Sequence, residues 1–99
     1  MRVERVSYFL EAVRRGSLRS AADALGVTQS TLSEQITALE EDLDVLLLTR
    51  TRRGVTPTSA AEVLMPQLSA LVDAEAQLRE RTTSLSAARP ASPYNSAPI

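Results

Sequence analysis

The sequence of 99 residues contains no cysteine, no histidine and no lysine, and all 11 of its basic residues are arginine. The missing cysteines exclude disulfides and thiolate chemistry, and the missing histidines remove the commonest general base and transition-metal ligand. Without lysine, Schiff-base chemistry and lysine-activated nucleophiles are excluded as well. Carboxylates remain, but most of the usual catalytic side chains do not, so we expect no enzyme, no cofactor and no metal site.

Aromatic residues make up only 3% of the chain, and no apolar run approaches the roughly 18 residues that a membrane span needs. Alanine and leucine must therefore fill the core, which favours closely packed helices. The N-terminus alternates charged and apolar residues and does not resemble a signal peptide, so we expect a cytoplasmic protein without membrane contact. The length fits a single domain, and a net charge of -1 argues against a non-specific nucleic-acid coat.

Three widely spaced glycines mark turns between segments of regular hydrophobic spacing. They are Gly16, Gly26 and Gly54. Before Gly16, apolar residues recur every three or four positions, which predicts an amphipathic helix. Ser17 is a suitable N-cap for a second, short helix that reaches Leu25, and Thr28 is suitable for a third that runs to about Leu43.

The stretch 21–36 has the spacing of a helix-turn-helix. Ala22 supplies the small side chain needed where two short helices cross closely, and Gly26 allows the sharp turn between them. The outer face of the second helix then carries short polar side chains, which suit base edges and phosphates in a major groove, although a merely structural hairpin stays an alternative. These candidates are Thr28, Gln29, Ser30, Thr31, Ser33, Glu34 and Thr37.

Residues 45–56 combine a short apolar run with a basic, glycine-containing tip, which predicts two short strands. The arginines of this tip, taken alone, could form a solvated turn, but beside a helix-turn-helix we expect them to contact DNA. They are Arg50, Arg52 and Arg53. The acidic run before them points in several directions along a helix and cannot converge on a cation, so we expect a solvated helix end there. It comprises Glu40, Glu41, Asp42 and Asp44.

A long helix over 59–85 is predicted next, capped by Thr58 or by Ser59, which has capping-box spacing with Glu62. Pro66 predicts a kink in its first turns. Leucines recur along this helix at heptad spacing, with one more at an intervening position. They are Leu64, Leu71, Leu78 and Leu85, with Leu68 between the first two.

The leucine stripe could pack on its own domain, but a helix this long projects from too small a core to be covered by it. We therefore predict that the helix over 59–85 dimerises. The residues 86–99, which are mainly alanine, serine and proline, are predicted to form a disordered tail.

Together these residues resemble the DNA-binding domain of the LysR-type transcriptional regulators, with order and spacing kept over about 3–71. The matching residues are Phe9, Val13, Gly16, Ser17, Ala21, Ala22, Leu25, Val27, Thr28, Gln29, Ser30, Leu32, Ser33, Gln35, Ile36, Leu39, Glu40, Leu43, Val45, Leu47, Arg50, Arg53, Gly54, Val55 and Thr58. The resemblance implies a mainly α fold that contains a winged helix-turn-helix over 1–58. It also implies a small two-stranded wing and a long C-terminal dimerisation helix.

The resemblance further implies a homodimer, with a higher oligomer in a full-length form, that binds double-stranded DNA at an inverted-repeat promoter site. Position by position, Gln29, Ser30 and Ser33 would face the major groove, and Arg53 would approach the minor groove or its phosphates. The larger effector-binding part of such regulators is absent from this chain, which is either an excised domain or a naturally short protein.

Six positions depart from the usual pattern of these regulators. A basic residue is usual at Glu34 and common at Thr37, so phosphate attraction should be weaker here. The other departures are Asp44 and Ala61 in place of glycine, Leu48 in place of phenylalanine and Pro57 in place of leucine. Two functions therefore stay open. The chain is a sequence-specific DNA-binding regulator, or it is an interaction protein of the same fold, with weak DNA affinity, that pairs with a related regulator.

Overall fold

The computed structural model describes residues 1–87 of the chain. This part consists of four helices and a two-stranded antiparallel sheet, which confirms the predicted winged helix-turn-helix with its long C-terminal helix. In chain order the elements are α1 (Val3–Arg15), α2 (Leu18–Leu25), α3 (Gln29–Leu43), β1 (Leu48–Thr51), β2 (Gly54–Pro57) and α4 (Ser59–Ala87).

Side-chain caps set where α2 and α3 begin. The Ser17 hydroxyl accepts a hydrogen bond from the Ser20 amide at 3.1 Å, and the Thr28 hydroxyl accepts one from the Thr31 amide at 3.0 Å. Each bond satisfies an amide that has no partner within its own helix. Both N-caps predicted from the sequence are confirmed.

The first three helices end on a residue with left-handed backbone. Two of these are glycines, Gly16 and Gly26, with φ of 66° and 72°. The third is Asp44, with φ of 55°, the only non-glycine residue of positive φ within the described residues. Aspartate tolerates this conformation better than most side chains, because its short carboxylate can hydrogen-bond locally. The departure from glycine at Asp44 is thus accommodated at a backbone position that favours glycine.

The core forms where α1 packs against the three other helices. One face of α1 contributes Val6, Phe9 and Ala12, which are all fully buried. Leu32 and Ile36 from α3 are buried against them. Burying each such large side chain stabilises the fold by about 1.5–3 kcal/mol. Because tilting a helix would expose part of this cluster, the cluster fixes the angle between the helices.

The first half of α4 belongs to the same core. Leu68 is only 4% exposed, and Leu64 packs against the core with part of its surface free. The prediction that Leu68 serves a dimer is therefore wrong, because its own domain already covers it. Leu71 is 38% exposed, and Leu78 and Leu85 are each 65% exposed.

Thr58, and not Ser59, caps α4. Its hydroxyl accepts a hydrogen bond from the Ala61 amide at 3.1 Å and donates one to the Leu46 carbonyl at 2.7 Å. Ser59 is already the first helical residue, so the predicted capping box with Glu62 is wrong.

The helix α4 continues through Pro66 to Ala87. Ser86 and Ala87, which were expected in the tail, are therefore helical. The rest of the predicted tail, 88–99, lies outside the described residues. Within residues 1–87, no helix is both long enough and apolar enough to cross a membrane.

The wing is docked on the turn between α1 and α2. Its strands pair with Arg50 opposite Val55 and Thr51 opposite Gly54. The Val55 amide donates a hydrogen bond to the Gly16 carbonyl at 3.1 Å. At Gly54, with φ of 130°, a Cβ atom would lie 2.1 Å from that same carbonyl oxygen. Only glycine allows this approach, so the wing cannot shift without losing the contact.

A carboxylate of α3 holds the start of the wing. Glu40 Oε2 accepts hydrogen bonds from the Leu47 and Leu48 amides, at 2.7 and 3.2 Å. Asp42 forms an ion pair with Arg5 at 3.7 Å. The expectation of a solvated helix end is therefore wrong for Glu40, which is half-buried, and holds for the exposed Glu41.

Candidate nucleic-acid interface

The outer face of α3 forms one shallow concave surface, which we call the α3 face. It brings together six of the residues predicted from the sequence, five from α3 and one from the wing, and Leu18, Ala38 and Glu41 complete its lining. The six are Gln29, Ser30, Ser33, Glu34, Thr37 and Arg50. Thr28 and Thr31 do not line this surface; their hydroxyls are hydrogen-bonded to each other at 2.9 Å.

A hydrogen bond between side chains ties the wing to α3. The Arg50 guanidinium donates to the Ser33 hydroxyl at 2.9 Å, across 17 positions of sequence. Sequence reasoning placed both residues near DNA but gave no signal of this contact. It sets where the wing lies relative to α3 and leaves the rest of the guanidinium free for an acceptor.

The tip of the wing presents two exposed arginines, Arg52 and Arg53. The Thr51 hydroxyl accepts a hydrogen bond from the Arg53 amide at 3.2 Å and donates one to the Gly54 carbonyl at 3.3 Å. These bonds hold the turn, so the two guanidiniums extend from a fixed tip.

The charge on the α3 face is mixed. Glu34 and Glu41 bring two carboxylates to this surface, and Arg50 brings one guanidinium. Short polar side chains between them can donate and accept hydrogen bonds. The face therefore suits specific hydrogen bonding better than general attraction of phosphates.

Several arginines elsewhere are paired with carboxylates. Arg14 and Arg15 both donate hydrogen bonds to the Glu11 carboxylate. These bonds, first that of Arg14 and then that of Arg15, lower the pKa of Glu11 to about 2. Arg5 pairs with Asp42, and Arg79 on α4 pairs with a glutamate one turn earlier. These four arginines lie outside the α3 face and have carboxylate partners within the chain.

A second concave surface, which we call the arginine cleft, lies between the start of α2 and the wing. It is lined by Arg19, Arg50 and Arg52, and it shares Gln29 with the α3 face. Sequence reasoning missed Arg19. The only available signal was a basic residue in the first turn of α2, and nothing in the sequence indicates that the wing folds back to face it.

Within residues 1–87, no group of three or more histidine, cysteine, aspartate or glutamate side chains could hold a metal ion. Both concave surfaces offer guanidiniums, hydroxyls and the Gln29 amide, and the α3 face alone adds carboxylates. Their chemistry is that of hydrogen bonding and charge.

Residues 3–62 match the family described as bacterial regulatory helix-turn-helix protein, lysR family. The chain belongs to this family. The match includes both concave surfaces and the first residues of α4. The resemblance inferred from the sequence is thereby confirmed.

Relatives and solved structures of the lysR family agree with this assignment. The nitrogen assimilation regulatory protein nac of Klebsiella aerogenes is 47% identical over 64 residues, which are 65% of this chain and 21% of that protein. The nac protein of Escherichia coli strain K12 is 43% identical over 72 residues, 73% of this chain and 24% of that protein. The chain thus spans less than a third of the length of these two relatives.

Two crystal structures of DNA-binding domains from lysR-family regulators have the same fold. That of the CbnR_DBD-DNA complex is similar with a TM-score of 0.78 and 31% identity, over 90% of this chain and 100% of that one. That of the BenM_DBD/catB site 1 DNA complex also has a TM-score of 0.78 and 31% identity, over 87% of this chain and 97% of that one. The similarity extends over most of α4 as well as the winged domain.

Proposed function

We propose that this chain is the DNA-binding part of a lysR-family transcription regulator and binds double-stranded DNA at an inverted-repeat promoter site. The observation that carries the proposal is the α3 face, a row of short polar side chains beside a wing that Arg50 fixes in place through Ser33. The two solved domains of matching fold in complex with DNA support it. Because the family is one of bacterial regulators, we place the chain in the bacterial cytoplasm with the chromosome.

In this proposal α3 enters the major groove. Gln29, Ser30 and Ser33 then lie near base edges, where amide and hydroxyl groups can distinguish bases by their donor and acceptor patterns. Arg53, at the tip of the wing, contacts phosphates beside the minor groove. The wing positions the duplex, and α3 reads its sequence.

The experiment that tests this function measures binding to fluorescein-labelled duplexes by anisotropy. One duplex is obtained by selection from a random-sequence library, and its scrambled version is the control. We expect preference for the selected duplex. Arg53→Ala should weaken binding to both duplexes equally and should lower the slope of log K against log salt by about one for each bound subunit. A loss on one duplex alone would mean that Arg53 reads bases.

Glu34 tests the placement of α3. If its carboxylate faces phosphates, Glu34→Ala should tighten binding to both duplexes, and Glu34→Arg should tighten it further. If the carboxylate accepts a hydrogen bond from cytosine, Glu34→Ala should lower affinity for the selected duplex alone, by roughly 1–3 kcal/mol. We expect the first result. Glu41 adds a second negative charge to the same face, and the two carboxylates together repel phosphates more than the one guanidinium attracts them. No change in either direction would show that α3 does not face DNA.

We also propose that the exposed leucines of α4 form a homodimer. Leu78 and Leu85 are both 65% exposed, and their spacing of seven residues places them on one side of the helix, where a second helix could cover them. An inverted-repeat site matches the symmetry of such a dimer.

Substituting both leucines tests the dimer without touching the domain core. Leu78→Glu with Leu85→Glu should give monomers in sedimentation velocity, because carboxylates would be buried against a partner helix. The matched control is Ala76→Glu. Its side chain lies about 200° around the helix from Leu78, since each residue turns by about 100°. If the double variant stays dimeric, the leucines are not the interface.

A second function, an interaction protein that pairs with a related regulator, is favoured by one observation, the carboxylates on the α3 face. In that case the same titration would give weak binding without preference for any duplex. Mixing the chain with a full-length lysR-family regulator would then yield a heterodimer through α4.

A further inference from the structure

The arginine cleft differs in charge from the α3 face that adjoins it. Arg19, Arg50 and Arg52 line the cleft, and no carboxylate does. On the α3 face, the carboxylates of Glu34 and Glu41 outnumber the one guanidinium. Positive charge is therefore concentrated beside α3 and not on it.

The guanidiniums of the cleft have no carboxylate partner. Within residues 1–87 the ion pairs involve Arg5, Arg14, Arg15 and Arg79, all of which lie outside the cleft. Arg50 is hydrogen-bonded only to the neutral Ser33 hydroxyl. Three like charges that share a concave surface repel one another, and an anion bound between them would remove that repulsion.

The cleft is also held in shape before any ligand binds. The Val55 amide bonds the Gly16 carbonyl, and Gly54 approaches that carbonyl too closely for any side chain. These contacts hold the wing, and with it Arg52, beside the start of α2, where Arg19 lies. The backbone around the cleft is thus preformed, so an anion that binds there orders the arginine side chains without having to position the wing.

Gln29 and Arg50 line both surfaces, so the cleft and the α3 face are continuous. A duplex whose major groove receives α3 must carry one of its strands past the neighbouring surface. That strand presents a regular row of phosphates, and the surface presents unpaired guanidiniums.

We propose that the arginine cleft, with Arg19 as its contribution from α2, binds the phosphodiester backbone of one DNA strand. The cleft supplies the salt-dependent attraction that the acidic α3 face does not. This assignment of separate roles to the cleft and to α3 rests on the proposed function of DNA binding. It leaves α3 to discriminate between sequences, while the sequence-independent part of the affinity comes from the cleft and the wing tip.

Arg19→Gln is the direct test, because Arg19 is exposed and makes no contact that the fold needs. Releasing one phosphate contact should lower the slope of log K against log salt by about 0.9 for each bound subunit, and should weaken binding at physiological salt by about fivefold for each bound subunit. The loss should be equal on the selected and the scrambled duplex. Arg19→Gln with Arg52→Gln should roughly double the change in slope, and Arg19→Lys should keep the slope of the unchanged protein.

The matched control is Arg79→Gln on α4, which removes the same charge away from the cleft, about 100° around the helix from Leu78, and should leave the slope unchanged. Thermal unfolding by circular dichroism should be the same for all variants. An unchanged slope for both Arg19→Gln and the double variant, in a protein that binds DNA, would overturn this inference and leave the proposed function standing. A loss restricted to one duplex would also overturn it, since phosphates carry no sequence. If the unchanged protein binds no duplex at any salt concentration, the proposed function and this inference both fail.

Discussion

Replacing Glu40 by alanine tests how the wing is attached to α3. The carboxylate accepts hydrogen bonds from the Leu47 and Leu48 amides, at 2.7 and 3.2 Å, and both of those residues are buried. An amide left without an acceptor costs about 1–3 kcal/mol when water cannot replace it. Since Glu40 is half-buried, water can reach part of the vacated space, and we expect a combined loss of about 2–4 kcal/mol.

The assay is urea unfolding followed by circular dichroism, at one fixed protein concentration because a dimer couples stability to concentration. Thermal unfolding of the same variant should show this loss of about 2–4 kcal/mol as a melting temperature lowered by roughly 10–25 °C, as expected for a domain of this size. Glu40→Gln keeps one acceptor oxygen without the charge, so its loss should be about half as large.

Glu41→Ala is the matched control, because it removes the same charge from the next, exposed position. It should change stability by no more than about 0.5 kcal/mol. If Glu40→Ala destabilises the domain no more than Glu41→Ala does, the two hydrogen bonds do not hold the wing, and our account of its attachment is refuted.

Two further predictions concern positions of positive φ. Asp44→Gly should stabilise the domain by up to about 1 kcal/mol in urea unfolding, because glycine adopts the left-handed conformation without strain; a loss would contradict this. Gly54→Ala should cost at least about 2 kcal/mol and expose the Val55 amide to hydrogen exchange, because its Cβ would meet the Gly16 carbonyl oxygen. Gly26→Ala, whose Cβ would meet nothing within 4 Å, is the control and should cost only about 1–2 kcal/mol of backbone strain. Equal effects at both glycines would argue against the docked wing.

Local signals accounted for the helices. Ser17 and Thr28 were recognisable as caps because a hydroxyl next to an apolar stripe satisfies an amide a few residues away. Where two candidates stood side by side, as at Thr58 and Ser59, the sequence left both open. The tertiary structure selected Thr58, whose hydroxyl also reaches the Leu46 carbonyl.

Long-range contacts account for the errors. Leu68 belongs to the leucine pattern of α4, but the sequence does not show how far the domain core extends along that helix. The core covers the first half of α4, which includes Leu68, and leaves Leu78 and Leu85 exposed beyond it. Glu40 looked solvated because its partners lie several residues later in a segment whose path the sequence did not specify.

The sequence by itself determined the helices, the glycine turns and the polar face of α3, since these depend on residues within a few positions of each other. Only the tertiary structure decided which charges share a surface. Arg19 and Arg52 are far apart in sequence, and they line one cleft because Gly54 lets the wing close onto Gly16. A guanidinium acts on an anion through space, so its role depends on where the backbone carries it.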